Sequence, residues 1–297
     1  MKLDTSLAGT SLKDYTTHIT WRRTMNYAAA VGDNNPVYFD DEREGGIVAP
    51  PMFAVAVTWP ISERLWEYVE SERLPKEVLA TQVHYTEHLV FHRSVRAGDR
   101  LTIKGSLAAV RPHRAGSLVT IRYRAVDERG ELVFTEYMGG LLRGVGCCGE
   151  AKIAEALPVI PSYEGDGTNI WETPIFVDPL APFVYDGCTN IFFPIHTSVA
   201  FAHKVGLPGI ILQGTATLAY AVREIVDREA DRNPEALRSV ACRFTGMVVP
   251  ASEIRVCLLD RRSDEDGMDL FFSVIASTSS PVVSDGYARL DRLCTNR

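Results

Sequence analysis

No stretch of this chain approaches the run of about 20 apolar residues needed to cross a bilayer, and its opening Met1-Lys2-Leu3-Asp4 holds no hydrophobic signal core. The expectation is a protein without a membrane partner that works in the cytoplasm. Basic clusters are missing as well. The formal charge is −7 and no run of Lys and Arg occurs, which argues against a nucleic-acid partner, because phosphate binding requires grouped positive charge. The six cysteines, Cys147, Cys148, Cys188, Cys242, Cys257 and Cys294, include no CxxC pair and have no histidine at metal-ligand spacing. They read as free thiols, and no metal is expected. What the chain does have is bulk: 297 residues, 46% hydrophobic and 23% charged, enough for one large or two ordinary cores.

It also has a loop written twice, at a constant offset of 158 residues. Tyr27 falls opposite Tyr185, Pro36 opposite Pro194 and Tyr38 opposite His196, while Asp33 meets Ile191 and Asn35 meets Phe193. A second landmark follows each copy. The stretch from Gly45 to Ala54 and the stretch from Gly206 to Ala216 both pass from a glycine turn through a short apolar run into an apolar helical segment. A third pairs the bend before Leu101 with the bend before Ile254. Repeats this far apart exceed the roughly 20 to 50 residues of solenoid arrays and point to a duplicated domain.

Periodicity places these motifs. Residues 11–30 fit a helix leading into the first loop, and residues 52–71 are apolar and then amphipathic, with Pro60 as a kink. From 79 to 143 the pattern becomes alternation, with turn signals at Gly98, Gly116 and Gly130, which suits an antiparallel meander. The second half repeats the plan: a helix over 215–232, then strands near 238–248, 253–260, 268–277 and 282–292. The expected division is a first domain over 1–145, a Gly- and Pro-rich linker over 146–173 and a second domain over 174–297. His84, His88 and His92 recur every fourth residue within a strand pattern, so a surface or edge cluster is expected rather than a ligand set.

Each half therefore reads as a loop, an apolar helix and an antiparallel sheet, an α+β arrangement in which a sheet wraps one long helix, the hot-dog layout. With the loops Tyr27…Gly32-Asp33-Asn34-Asn35-Pro36 and Tyr185…Pro194-Ile195-His196, the chain resembles the MaoC-like acyl dehydratases of the R-specific enoyl-CoA hydratase type in tandem double hot-dog form. Its first half is similar to the fatty-acid-synthase-like dehydratase domain. The resemblance implies reversible hydration of a 2-enoyl-CoA to a 3-hydroxyacyl-CoA, with CoA as part of the substrate and no separate cofactor. It also implies a backbone N–H at the start of the central helix as the thioester oxygen's partner, and pairing with itself or with another hot-dog protein.

In that family one loop supplies both Asp and His, and neither copy here is complete. The first keeps Asp33 and Asn35 but has Tyr38 in the histidine position, where its hydroxyl could replace one donor. The second keeps His196 but has Ile191 and Phe193. Two separate sites are expected. At the helix start the first half has Pro50-Pro51, which lack N–H donors, whereas the second has Gln213-Gly214-Thr215, where Gly214 lets the backbone approach closely. The second half is thus the expected active site, with His196 as acid and base, Gly214 at the oxyanion, and Asp186 or Asn190 standing in for the absent carboxylate. Asp33 and Asn35 suit catalysis or turn chemistry alike. Phe192, Phe193 and Leu218 could shape an acyl pocket. Cys188 sits in the second loop, but nothing beside it predicts the lowered pKa of a nucleophile. Two other readings stand: a non-catalytic acyl-thioester binder that serves as a partner subunit, and an acyl-CoA thioesterase.

Overall fold

A computed structural model describes residues 1–71, 74 and 76–292, except the side chains of 80 and 81. Short strand β1 (Lys2–Asp4) precedes β2 (Tyr15–His18), helix α1 (Trp21–Ala30), helix α2 (Phe53–Glu63) and a single turn, α3 (Leu65–Tyr68). A meander follows: β3 (Gln82–Phe91), β4 (Arg100–His113), β5 (Gly116–Val126) and β6 (Leu132–Arg143). After β7 (Gly146–Cys148) and β8 (Lys152–Ile153), the second half brings β9 (Trp171–Val177), α4 (Ala181–Thr189), α5 (Val199–Lys204) and α6 (Gly214–Glu229). It closes with β10 (Leu237–Phe244), β11 (Ser252–Ser263), β12 (Gly267–Ala276) and β13 (Pro281–Asp291).

The strands form one antiparallel sheet in the order β2-β4-β5-β6-β3-β10-β13-β12-β11-β9, with β8 beside β4 and a separate parallel pair of β1 with β7. The halves join where β3 meets β10, Val90 opposite Ser239 through Thr86 opposite Arg243. Each half would otherwise leave that strand bare, and the pairing removes both exposed edges at once. Helix α6, 16 residues long, buries nearly every residue from Thr215 to Val226 against β10 and β11. Helix α2 is shorter at 11 residues and carries Pro60 within it, where the missing N–H interrupts the ladder. This matches the double hot-dog arrangement, α+β, and among the described residues no helix is long and apolar enough to cross a membrane.

Three expectations are corrected. The helix read over 11–30 begins only at Trp21, capped by Thr20, because Tyr15-Thr16-Thr17-His18 pairs as strand β2 with β4. Here β-branched residues and a waiting sheet edge override a weak helical period. Strand β9 begins in the last three residues of the stretch read as linker and runs on to Val177; its alternating burial marks an edge strand, where Pro174 is tolerated because a missing N–H costs no interior ladder bond. The histidines of β3 are not an edge cluster. That strand is central, and His88 is buried with its ring stacked on Tyr137.

Candidate functional site

Helix α4 ends at Asn190, which takes the left-handed conformation (φ 59°) and closes the helix through its N–H to the Asp186 carbonyl. The chain then turns through Pro194 to His196, whose Nδ1 lies 2.8 Å from the carbonyl oxygen of Ile211. A carbonyl can only accept, so Nδ1 carries the proton and Nε2 keeps its lone pair. Burial lowers the His196 pKa to about 4, with the Ile211 carbonyl opposing the shift. At neutral pH the ring is an uncharged base with its tautomer set from behind.

Ile211 stands three residues before Gly214, where α6 begins. The first helical N–H that bonds back is that of Ala216, to the Gln213 carbonyl. Among the described residues the Gly214 and Thr215 N–H groups meet no acceptor, which leaves two donors at the positive end of a long helix. A Cβ on Gly214 would come within 3.1 Å of the Phe244 ring, so glycine permits this close packing. Gln213, fully buried, donates from Nε2 to the Pro182 carbonyl at 3.0 Å and leaves Oε1 without a partner. The sequence placed Gln213 and Thr215 at the helix start without a role for either and gave no sign of Phe244. A glycine flanked by two polar residues at a helix start was the one available signal.

His196 and Gly214 thus fall together, but neither proposed carboxylate substitute is bonded to them. Asn190 is exposed and ends its helix, and Asp186 is half-buried on α4 with Oδ2 unpartnered, its pKa raised by burial. In the family's aspartate position, Ile191 is buried, while Phe193 meets the His196 ring edge-on at 6.5 Å. The site offers one imidazole, two backbone donors and an apolar wall.

The first loop lies elsewhere. Asp33 is buried and accepts the Asn35 N–H at 3.1 Å; Asn35 accepts from Val37 and donates from Nδ2 to the Arg232 carbonyl at 2.6 Å. Arg223 donates to the Val31 carbonyl at 2.6 Å, and Arg232 to Asn34 Oδ1 at 2.9 Å. The loop is therefore clasped to the C-terminal end of α6, while His196 sits by its start, and a helix of that length spans about 24 Å. Burial first, then nearby Asp227, raises the Asp33 pKa to about 6, against the Asn35 N–H, Arg223 and Arg232. The Tyr38 hydroxyl is buried without a partner, and its pKa is raised by burial and by Asp33. At the start of α2, the Phe53 and Ala54 N–H groups are already bonded to the Pro50 and Pro51 carbonyls. Asn35→Ala is expected to cost about 1 to 2 kcal/mol in thermal or urea unfolding, because it removes a turn cap and the clasp together.

A third polar group lies under the seam. The register of β3 against β6 shifts between His84 and Thr86, and this bulge brings His84 and Glu87 onto one face although they are three apart. His84 Nε2 is 3.0 Å from Glu87 Oε2, without hydrogen-bond alignment. Burial drives the Glu87 and Glu136 carboxyls well above the usual range and His84 down to about 4. Among the described residues no group of His, Cys, Asp and Glu has metal-binding geometry, and five thiols are free; Cys294 lies outside the described residues.

A double hot-dog with an imidazole bonded beside the start of its longer helix is the arrangement to be compared with known proteins. Residues 6–136 match the FAS1-like dehydratase domain region and residues 182–269 the MaoC-like domain, so each half of the chain matches a dehydratase-type domain model. The chain is 26% identical over 276 residues to peroxisomal multifunctional enzyme type 2 of Drosophila melanogaster, covering 90% of this chain and 44% of that protein. It thus spans less than half of that relative. It is 24% identical over 179 residues to peroxisomal enoyl-CoA hydratase 2 of Arabidopsis thaliana, covering 58% of each chain. Its fold resembles that of a MaoC-like dehydratase from Phytophthora capsici, with a TM-score of 0.84, 18% identity and 98% of both chains covered.

Proposed function

We propose that the protein is a hydro-lyase that adds water to, and removes it from, the 2,3-double bond of acyl-CoA thioesters, at the site formed by His196 and the start of α6. One observation carries the reading: the Ile211 carbonyl, three residues before the start of α6, fixes the Nδ1 proton of His196 and leaves its Nε2 lone pair available. In the hydration direction Nε2 takes a proton from water as the water oxygen bonds to C3. The π electrons of the C2–C3 bond move towards C1, and negative charge gathers on the thioester oxygen, where the Gly214 N–H and the helix dipole receive it. As the enolate collapses, C2 takes the proton from Nε2, so one imidazole serves as base and then acid. The chemistry moves one water and calls for no redox or metal cofactor.

The relatives' names support this reading, since one is an enoyl-CoA hydratase 2. Ile191 in the aspartate position favours a second reading, a thioester-binding subunit without turnover. A panel of 2-enoyl-CoA esters decides between them. Loss of the conjugated enoyl absorbance without release of CoA thiol is expected. Tight binding with unchanged absorbance would select the binder, and thiol release without hydration a thioesterase.

A further inference from the structure

The two tyrosines of the duplicated loops, Tyr27 on α1 and Tyr185 on α4, meet across the pseudo-two-fold. Both are buried, their rings are edge-on at 5.8 Å and their hydroxyl oxygens are 3.0 Å apart. Symmetry alone would leave that pair without a direction, but a third hydroxyl breaks it. Tyr185 donates to Oγ1 of Thr215 at 3.0 Å, and Thr215 is the second residue of α6. A hydroxyl has one proton. With that of Tyr185 committed to Thr215, Tyr27 must be the donor to Tyr185. Thr215 in turn accepts at Oγ1 and keeps its own proton, for which no acceptor occurs among the described residues. The first half has no counterpart: Pro50-Pro51-Met52 stands where the second half has Gln213-Gly214-Thr215, and Met52 offers Tyr27 nothing to bond.

We infer that Tyr27, Tyr185 and Thr215 form a one-way hydroxyl relay that arms the start of α6 with a side-chain donor, so that Thr215 joins the Gly214 N–H in holding the thioester oxygen. Each bond in such a chain polarises the next, which makes the last hydroxyl a better donor than an isolated threonine. Thr215 is then a catalytic residue, and Tyr27 and Tyr185 are positioning residues that act through it. The buried, unpartnered Oε1 of Gln213 at the same helix start is a second mark of a place built to receive a hydrogen-bonding group.

The inference rests on the hydration reading, and the experiment separates the two. Thr215→Val, which keeps the shape and removes the hydroxyl, is expected to lower kcat by about 10- to 100-fold, towards the low end for a lost oxyanion donor because the backbone N–H remains. KM should change little, since the bond strengthens with the developing charge. Thr215→Ser restores the rate. Tyr185→Phe and Tyr27→Phe each lose several-fold, and adding Tyr185→Phe to Thr215→Val brings no further loss, because the relay then has no end to serve. Full activity in Thr215→Val, or multiplying losses in the double variant, overturns the relay and leaves the hydration reading standing. A second readout needs no turnover. The absorbance of bound cinnamoyl-CoA is expected to shift to the red in the wild type and in Thr215→Ser, and less in Thr215→Val. Equal shifts, or no shift in the wild type, overturn the relay, whereas a normal shift without hydration of any enoyl ester sinks the reading and keeps the relay.

Discussion

Replacing His196 with alanine is expected to lower kcat/KM for enoyl-CoA hydration by about 10² to 10⁴, the range for losing a positioned acid and base. The loss should be large because no other group among the described residues of this site can act as a base near neutral pH: Ile191 and Phe193 stand where the family has polar groups. The remaining helix donors hold the thioester without activating water. The pH profile supplies an independent check. With the ring pKa lowered to about 4 by burial, the imidazole stays unprotonated through the mildly acidic range. The acid limb of kcat/KM should therefore fall near pH 4, well below the 6.5 of an ordinary histidine. A wild-type rate in the alanine variant would remove His196 from the mechanism.

The second large effect is one of stability. The Asp33 carboxyl titrates at about 6 in the folded protein against 3.8 for an unperturbed aspartate, so folding raises its proton affinity. Its favourable contribution is complete below pH 3.8 and is lost as the pH climbs through 6, above which a buried carboxylate weighs against the fold. A displacement of about two pH units corresponds to about 3 kcal/mol. Asp33→Asn keeps an oxygen for the Asn35 N–H and carries no charge. Its Tm should rise by several degrees at pH 8 and hardly move at pH 4, with hydration within about twofold of wild type. A fall in Tm at pH 8 would contradict the burial argument. A rate loss as great as that of the His196 variant would move the chemistry to the first loop.

Much of the fold was legible because its signals are local. Alternation over 79–143 and the strand patterns between 238 and 292 announced the meanders, and the apolar run from Thr215 announced the start of α6 to within one residue. Placing His196 and the α6 start in the same half anticipated the bond from the His196 ring to the Ile211 carbonyl, three residues before Gly214. What escaped depends on distant contacts. Nothing near Asn35 foretells its bond to the Arg232 carbonyl, 197 residues away, so the first loop could not be seen as a clasp. The bulge that aligns His84 with Glu87 is set by pairing with β6 and leaves no mark in strand periodicity. The aligned tyrosines were visible as a repeat, but only three-dimensional proximity turns a repeat into a bonded pair.

The seam between β3 and β10 bears on the ancestry of the molecule. A chain holding only one half would present a naked strand of ten or eight residues, ready to zip onto any like strand. A single-copy chain would cover that strand by pairing it with the same strand of a second copy. With both halves on one polypeptide the two copies need not match, and here one carries the imidazole while the other braces the far end of its helix.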